Sequence, residues 1–191
     1  MFSPTAELVD SIAYPEIQPN HSYGLIDSNY YYFEAPSPGD PNNSETGYKG
    51  YANSPSINLG SGAFEVGTEI VMTAVLPSET IYYSYNGMNP GEEEFYDSPI
   101  SLDQTRSIRA IAQADSMINS PSVYRTYFVN ANHDLPIVNI GVDSLDLFDN
   151  ETGIYMMGPD AVATPPHLGA NFWEDKEVHV FYEYFNTDFE L

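Results

Sequence analysis

The chain has 191 residues, of which 42% are hydrophobic and 14% aromatic, so it can form a packed core and is not a disordered polypeptide. Five Lys and Arg residues against 28 Asp and Glu residues give a formal net charge of −23, which disfavours nucleic acid and anionic lipid as partners. The absence of Cys excludes disulfides and thiolate metal sites. No apolar run approaches the roughly 18 residues that a membrane-spanning helix needs.

The acidic exterior has two interpretations that the sequence leaves open. It suits water rich in salt or divalent cations, which screen carboxylates, and it equally suits an ordinary soluble acidic protein. The first ten residues, MFSPTAELVD, have neither the basic nor the apolar region of a signal peptide. Any export signal is therefore expected to precede residue 1.

Residues 1 to about 55 contain few strand patterns. A tyrosine cluster, NYYYF, is followed by a stretch rich in Pro, Gly, Asn and Ser, which predicts a linker over residues 43–55. One short strand is predicted from Tyr30 to Phe33, and such a strand needs a pairing partner to be stable.

Period-two alternation predicts a series of β-strands between residues 56 and 130. Four runs carry the pattern, EIVMTAVL, TIYYSYN, SIRAIAQA and SVYRTYFV, and shorter strands are expected at 63–66 and 99–102. Alternation places one side of each strand on a core and the other in water, which predicts an antiparallel β-sandwich. The residues sharing a face are Ile70, Met72, Ala74 and Leu76; Ile81, Tyr83 and Tyr85; Ile108, Ala110 and Ala112; and Tyr124, Thr126 and Phe128, opposite Val123, Arg125, Tyr127 and Val129.

After residue 130 the pattern changes. LPIVNIGVD predicts a nearly continuous apolar strand, and Asp143 is placed to cap one helical turn that follows. EVHVFYEYF alternates again, and one of its faces carries Val178, Val180, Tyr182 and Tyr184. Two strands and one helical turn are too little for a stable domain, so residues 131–191 are expected to belong to a larger unit.

The candidate metal ligands are acidic side chains in DSLDLFDNETG. Asp143, Asp146, Asp149 and Glu151 could supply carboxylate oxygens to a hard cation such as calcium. The alternative is structural, with Asp143 as a helix cap followed by a polar turn that ends at Gly153. The four histidines show no metal-binding spacing, so calcium is the cofactor candidate and no other cofactor is expected.

No motif for nucleophilic, phosphoryl-transfer or metal-dependent catalysis is present. Exposed aromatic residues could instead stack on sugar rings, and the candidates for such ligand binding are Tyr82, Tyr31 and Trp173, with Tyr30 and Tyr32 beside them. The alternative is that these tyrosines pack in the sandwich with their hydroxyls at its rim.

Two stretches carry a resemblance to a known module. TIYYSYNGMNP and YDSPISLDQTRSIRAIAQADSMINSPSVYRTYFV resemble the small β-sandwich at the C-terminus of chitobiase and β-hexosaminidase enzymes, also described as fibronectin-III-associated. The matching residues are Ile81, Tyr82, Tyr83, Gly87, Pro90, Tyr96, Pro99, Ile100, Ile108, Ala110, Ala112, Ser122 and Tyr127. Asn86-Gly87 stands where that family usually has Asp-Gly.

The flanking segments resemble two other families. YPEIQPNHSYGLIDSNYYYFEAPSPGDPN is similar to the last strands of a bacterial lamin-tail domain. LPIVNIGVDSLDLFDNETGIYMMG, followed by NFWEDKEVHVFYEYF, is similar to the beginning of a spore-coat CotH kinase domain, with Glu177 where Pro is usual. In that family this segment precedes the nucleotide-binding and catalytic motifs.

Together the resemblances imply a mainly β chain with an immunoglobulin-like or fibronectin-III-like antiparallel sandwich and incomplete flanks. The implied order is a lamin-tail-like end at 1–42, the linker at 43–55, the sandwich at 56–130 and the start of a CotH-like domain at 131–191. The expected function is a non-catalytic spacer in a secreted or cell-surface bacterial protein, with neighbouring domains of the same polypeptide as partners. The alternative is a carbohydrate-binding accessory module that contacts cell-surface glycan.

Overall fold

A computed structural model describes residues 11–42, 46–91 and 94–191 of the chain. The first ten residues of the predicted lamin-tail-like segment and three residues of the predicted linker lie outside these ranges. Almost all regular structure in the described part is β. The chain divides into two compact units, one of residues up to Tyr51 with Asp115–Ile118, the other of Ala52–Ala114 with Asn119–Leu191.

The first unit is built on a β-hairpin. Strands β1 (Ser22–Ile26) and β2 (Asn29–Phe33) pair antiparallel through the turn at Asp27 and Ser28. The strand predicted over Tyr30–Phe33 is therefore confirmed, and its partner is β1. Phe33 is buried, which gives the hairpin one apolar side on which to pack.

The second unit contains the predicted sandwich. Its strands are β3 (Ser56–Ile57), β4 (Gly62–Phe64), β5 (Glu69–Ile70), β6 (Met72–Thr73), β7 (Thr80–Tyr85), β8 (Ile100–Ser101), β9 (Arg106–Gln113) and β10 (Val123–Val129). The main sheet has the order β4-β10-β9-β7, in which β4 runs parallel to β10 and the other pairs are antiparallel. The short pairs β3–β6 and β5–β8 supply the apolar residues that pack against it. The expected β-sandwich is confirmed.

The core lies between these strands. Ile70, Leu102, Ile108 and Tyr127 are completely buried, as the alternation predicted for Ile70 and Ile108. Burial raises the pKa of the Tyr127 hydroxyl, which donates a hydrogen bond to the carbonyl of Leu59 at 3.3 Å. The hydroxyl of this fully buried tyrosine is therefore paired inside the core.

The run EIVMTAVL is not one strand. The chain changes partners at Val71, because β5 pairs with β8 whereas β6 pairs with β3. The Asn58 side chain fixes the change, since its Oδ1 accepts a hydrogen bond from the Val71 amide at 2.8 Å. Strand pairing ends at Thr73, so Leu76 is 48% exposed rather than aligned with the buried Ile70 and Met72.

The expectation that one side of each strand faces water is wrong for β9 and β10. Ile111 on β9 and Tyr124, Thr126 and Phe128 on β10 are buried although they lie on the face away from the core. Residues of the segment after 130 cover this face. Sequence alternation identified the faces correctly but not the second layer above them.

That segment has the predicted elements. Strand β11 (Ile137–Gly141) pairs antiparallel with β12 (Phe181–Phe185), and helix α1 (Ser144–Phe148) begins after Asp143. A short 3-10 turn spans Asn171–Trp173. Strand β12 begins four residues later than the alternating run, and its alternating face with Tyr182 and Tyr184 is exposed while Phe185 is fully buried.

No helix in the described ranges has the length and hydrophobicity needed to cross a membrane.

Glu79 is a buried carboxylate that organises the loop before β7. It is 8% exposed, its Oε1 accepts hydrogen bonds from the Asn53 amide (2.8 Å) and side chain (2.7 Å), and its Oε2 accepts one from the Leu76 amide (2.9 Å). Burial by itself would raise the pKa of Glu79, but the hydrogen bonds from Asn53 and Leu76 outweigh it and lower the pKa. The loop is therefore held by an ionised carboxylate.

We expect Ile70→Ala to lower the free energy of unfolding by about 2 to 5 kcal/mol, because it leaves a cavity in the core. The neighbouring Val71→Ala, on the solvent side, should cost less than about 1 kcal/mol. Urea unfolding followed by tyrosine fluorescence measures both. Equal losses for the two variants would contradict the assigned faces.

We expect Glu79→Gln to lower the free energy of unfolding at pH 7 by about 1 to 3 kcal/mol. The glutamine side chain has only one acceptor oxygen, and its NH2 group would face a backbone donor. The lowered pKa means that the ionised Glu79 stabilises the fold above its ordinary pKa of 4.5. This contribution is lost as the pH falls through the folded-state pKa. Urea unfolding at pH 7 and at about pH 3.5 should therefore show that the difference in free energy of unfolding between the unsubstituted protein and Glu79→Gln becomes smaller in acid. A difference in free energy of unfolding that is unchanged or larger in acid would contradict the stabilising role of the ionised Glu79.

Candidate functional site

The β11–β12 hairpin covers the outer face of β9 and β10 through aromatic contacts. The rings of Tyr124 and Phe181 are stacked with centroids 4.7 Å apart and planes inclined by 6°. Phe128 meets Phe185 edge to face at 4.9 Å. Such pairs add to the burial of apolar area and fix the hairpin's position on the sheet.

Polar side chains fill the space between these aromatic pairs. Asn139 of β11 donates from its Nδ2 to the hydroxyls of Thr126 (2.6 Å), Ser107 (3.1 Å) and Tyr124 (3.1 Å). Glu183 of β12 accepts hydrogen bonds from the hydroxyls of both Thr126 and Ser61. We call Ser61, Ser107, Thr126, Asn139 and Glu183 the polar layer.

The polar layer resembles a catalytic arrangement only in composition. Its hydroxyls already donate to Glu183 or accept from Asn139, and the Ser61 hydroxyl also accepts the Thr126 amide at 3.0 Å. No histidine takes part in these hydrogen bonds to activate a serine. The layer therefore specifies how the hairpin sits on the sheet, since each buried polar group needs its partner.

The turn after β7 contacts the end of β11. Asn86 and Gly87 both have positive φ, 60° and 81°, which is the geometry of a tight hairpin turn and explains the Asn-Gly pair. A Cβ on Gly87 would lie 2.8 Å from the Val142 nitrogen, so the backbones approach closely here. The Asn89 amide donates to Asp143 Oδ2 at 2.8 Å. The turn is therefore part of the attachment of residues 131–191 to the sandwich.

Arg109 reinforces the same junction. Its guanidinium donates to the Gly87 carbonyl (3.3 Å) and the Ser122 hydroxyl (3.0 Å), and lies 5.1 Å from the centre of the Phe181 ring. Burial lowers the pKa of Arg109, whereas the negative charge of Asp143 acts in the opposite direction. The cation thus connects β9, the turn after β7 and β12.

The three predicted ligand-binding aromatics lie on three different elements of the chain. Tyr82 is half-buried on β7, and its backbone forms an isolated antiparallel β-bridge with Phe95. Trp173 is 59% exposed, and its Nε1 donates to the Pro166 carbonyl at 2.8 Å. Tyr31 is half-buried and belongs to the other compact unit. Their contact with a ligand stays a prediction.

The predicted metal ligands are engaged in local hydrogen bonds. Asp143 is buried, and its Oδ1 accepts from the Leu145 amide at 2.9 Å, which confirms the predicted helix cap. Asp149 Oδ1 accepts from the amides of Thr152 and Glu151, and these bonds lower the pKa of Asp149. Asp146 is half-buried and Glu151 is exposed.

Within the described ranges, no three His, Asp or Glu side chains are arranged to hold a metal ion. Calcium binding by this acidic segment stays a prediction, and its carboxylates Asp143 and Asp149 would have to give up hydrogen bonds to the backbone.

Hollows on the surface of the second unit are open to solvent. Three of them have volumes of about 420, 380 and 300 Å³. The second lies between β10 and β12, beside Tyr124 and Phe181, and the others are lined by residues of β4 and of the β8–β9 loop. None of the three contains a predicted ligand-binding aromatic residue.

The residues that build the interface beneath the hairpin were not predicted from the sequence. Asn139 and Glu183 lie in strands that were correctly predicted, but nothing in the sequence paired them with Thr126. The available signal was a polar residue at the centre of each otherwise apolar strand, which suggests a buried partner.

We expect Gly141→Ala to lower the free energy of unfolding by about 1 to 3 kcal/mol, because the added Cβ would overpack the interface. The new atom would lie 2.5 Å from the Tyr124 ring. Gly60→Ala is the matched control, because its Cβ would have no neighbour within 4 Å. Urea unfolding and limited proteolysis should show a loss of stability for Gly141→Ala and none for Gly60→Ala. Equal stability of the two variants would contradict the close packing at Gly141.

Comparison with known proteins gives one match. Residues 59–125, which end within β10, match the family model of the chitobiase/beta-hexosaminidase C-terminal domain. Neither the curated proteins nor the solved structures contain a significant match to the chain. The match covers about a third of the chain and includes the turn at Asn86-Gly87. Residues 59–125 are therefore similar to an immunoglobulin-like accessory module that is not itself catalytic.

Proposed function

We propose that the chain is a non-catalytic spacer in a secreted or cell-surface bacterial protein, and that it positions a neighbouring CotH-like kinase domain that begins with residues 131–191. Residues 1–42 are, in this proposal, the end of a lamin-tail-like domain. The accessory character of the sandwich at 59–125 supports the spacer role. The observation that carries the proposal is the outer face of the β11–β12 hairpin.

That outer face is apolar and uncovered. Val138 pairs with Tyr184 and Ile140 pairs with Tyr182, and all four side chains are about half exposed or more. The inner face of the same hairpin carries Asn139 and Glu183. A sheet normally buries its apolar face. A hairpin that packs on the sandwich by one face and exposes apolar residues on the other is therefore expected to be covered by a further layer of protein.

Exposed apolar residues are concentrated in the same segment. Fifteen large hydrophobic residues of 131–191 are exposed, against six among the described residues of 56–130. Helix α1 contributes Leu145 and Phe148, and it has no buried residue. A surface of this kind is typical of a contact with another domain, here one of the same polypeptide.

The attachment of this segment to the sandwich supports a stiff spacer. The stacked pair Tyr124–Phe181, the Asn139 hydrogen bonds and the contact at Gly87 fix it at separate points. A domain that continues from residues 131–191 would therefore inherit a defined orientation. The second candidate is that the neighbouring domain is a glycosidase, because the matched family is a domain of chitobiase and β-hexosaminidase.

The test is an outer-face variant that carries Val138→Thr, Ile140→Thr and Tyr182→Thr. Threonine keeps β propensity, so we expect the melting temperature of the 191-residue chain to fall by less than about 4 °C. Binding of a hydrophobic dye should fall, because the apolar face is removed. Val66→Thr with Val75→Thr, at exposed positions of the sandwich, is the control and should change dye binding little.

The same variants in a longer natural polypeptide, which includes the sequence after residue 191, separate the proposal from a general solubility effect. We expect the outer-face variant to expose β12 to protease and to faster hydrogen exchange, and the control to leave both unchanged. Equal protection of β12 in the two variants would contradict a covering domain. A glycosidase fold encoded after residue 191 would replace the kinase neighbour.

A further inference from the structure

The first unit carries a second aromatic surface, which lies on one face of the β1–β2 hairpin. Tyr23 is paired with Tyr32, and Leu25 with Tyr30, so these four side chains share a face. Tyr31 is paired with Gly24 and belongs to the opposite face. Three consecutive tyrosines are therefore divided between two surfaces with different surroundings.

The rings on the first face form a connected set. Tyr23 is stacked on Tyr30 with centroids 5.2 Å apart and planes inclined by 14°, and it meets Tyr32 at 4.9 Å. Tyr14 lies edge-on to Tyr23 at 6.0 Å, and Tyr51 contacts Tyr32 at 5.2 Å. We call Tyr14, Tyr23, Tyr30, Tyr32 and Tyr51 the tyrosine platform.

The inner members of the platform are fixed in place. The Tyr51 hydroxyl is 2.9 Å from His21 Nδ1 and accepts a hydrogen bond from the Gln18 amide at 3.1 Å. Burial, followed by the neighbouring tyrosines Tyr23 and Tyr51, raises the pKa of Tyr32. The platform is therefore preorganised, and a ligand would not have to order it.

The outer members are open to solvent. Tyr30 is 43% exposed, and among the described residues its ring is paired only with that of Tyr23. Tyr14 is 62% exposed. No described residue forms a hydrogen bond with either hydroxyl. The opposite face of the hairpin is covered by its own unit, since Cβ atoms on Gly24 and Gly47 would meet Asn42 and Tyr31.

We propose that the tyrosine platform binds an uncharged polysaccharide, with one sugar ring stacked on the free face of Tyr30 and an adjacent sugar against Tyr14. Both rings contact Tyr23, with centroid distances of 5.2 Å for Tyr30 and 6.0 Å for Tyr14, so one short oligosaccharide can reach both. Pyranoses with equatorial linkages present flat C–H faces to an aromatic ring, and their hydroxyls can bond to those of the tyrosines.

The charge of the protein selects an uncharged ligand. With 28 acidic and five basic residues, the chain repels phosphate, sulfate and uronate polymers. Proline-rich peptides also bind to aromatic surfaces, but they insert into grooves between separated rings. Tyr23 and Tyr30 are stacked on each other and leave no such groove, so a flat ligand fits better. This inference is independent of the kinase-positioning proposal, because it concerns only the first unit.

The test is calorimetric and NMR titration of the intact 191-residue chain with cellohexaose and with fully N-acetylated chitohexaose. We expect saturable binding of at least one of them. Tyr30→Ala and Tyr14→Ala should each weaken it about tenfold, because each removes a stacking surface. Tyr31→Ala is the matched control, since it removes the same side chain from the opposite face, and it should change the affinity less than about twofold.

Three further results decide the proposal. Tyr30→Phe should retain most of the affinity, and a loss as large as that of Tyr30→Ala would overturn ring stacking. Binding of neither oligosaccharide, or binding of a proline decamer in their place, would overturn the choice of ligand. If Tyr30→Ala disturbs the hairpin, Tyr14→Ala still tests the platform, because Tyr14 lies outside both strands.

Discussion

The burial of both faces of β9 and β10 is the constraint on which the second unit depends. One face closes the apolar core around Ile108 and Tyr127, and the other receives the β11–β12 hairpin through Tyr124, Thr126 and Phe128. A one-residue shift of register would exchange the two faces, placing Tyr124, Thr126 and Phe128 in the apolar core and the core residues against the hairpin. Sandwich and hairpin are therefore specified together.

The two layers differ in the interactions that hold them. The core is apolar and gains its stability from burial, whereas the polar layer around Asn139 and Glu183 orients the hairpin, because hydrogen bonds weaken steeply when their geometry is poor. The turn at Asn86-Gly87 lies where the layers meet, through Arg109 and the close approach to Val142. The Asn-Gly pair therefore both forms a turn and attaches residues 131–191 to the sandwich.

Uncovered surfaces point to what the protein does beyond holding itself together. The outer hairpin face with Ile140 and Tyr182 is apolar and exposed, and the face with Tyr30 carries a connected set of tyrosine rings. The first supports a contact with a neighbouring domain and the second a contact with a ligand. The two proposals concern different units of the chain and are compatible with each other.

The sequence by itself determined the longer strands after residue 79, which of their residues share a face, and the Asp143 cap, because alternation and capping depend on residues that are close along the chain. It also carried the signature of the sandwich, which the family match confirms over residues 59–125. Only the tertiary structure decided that β9 and β10 are covered twice, that the faces carrying Tyr30 and Tyr31 have different surroundings, and that Asn139 bonds to Thr126. The reason is physical: alternation divides side chains into two sets, but which set meets water depends on segments distant in sequence that pack above it.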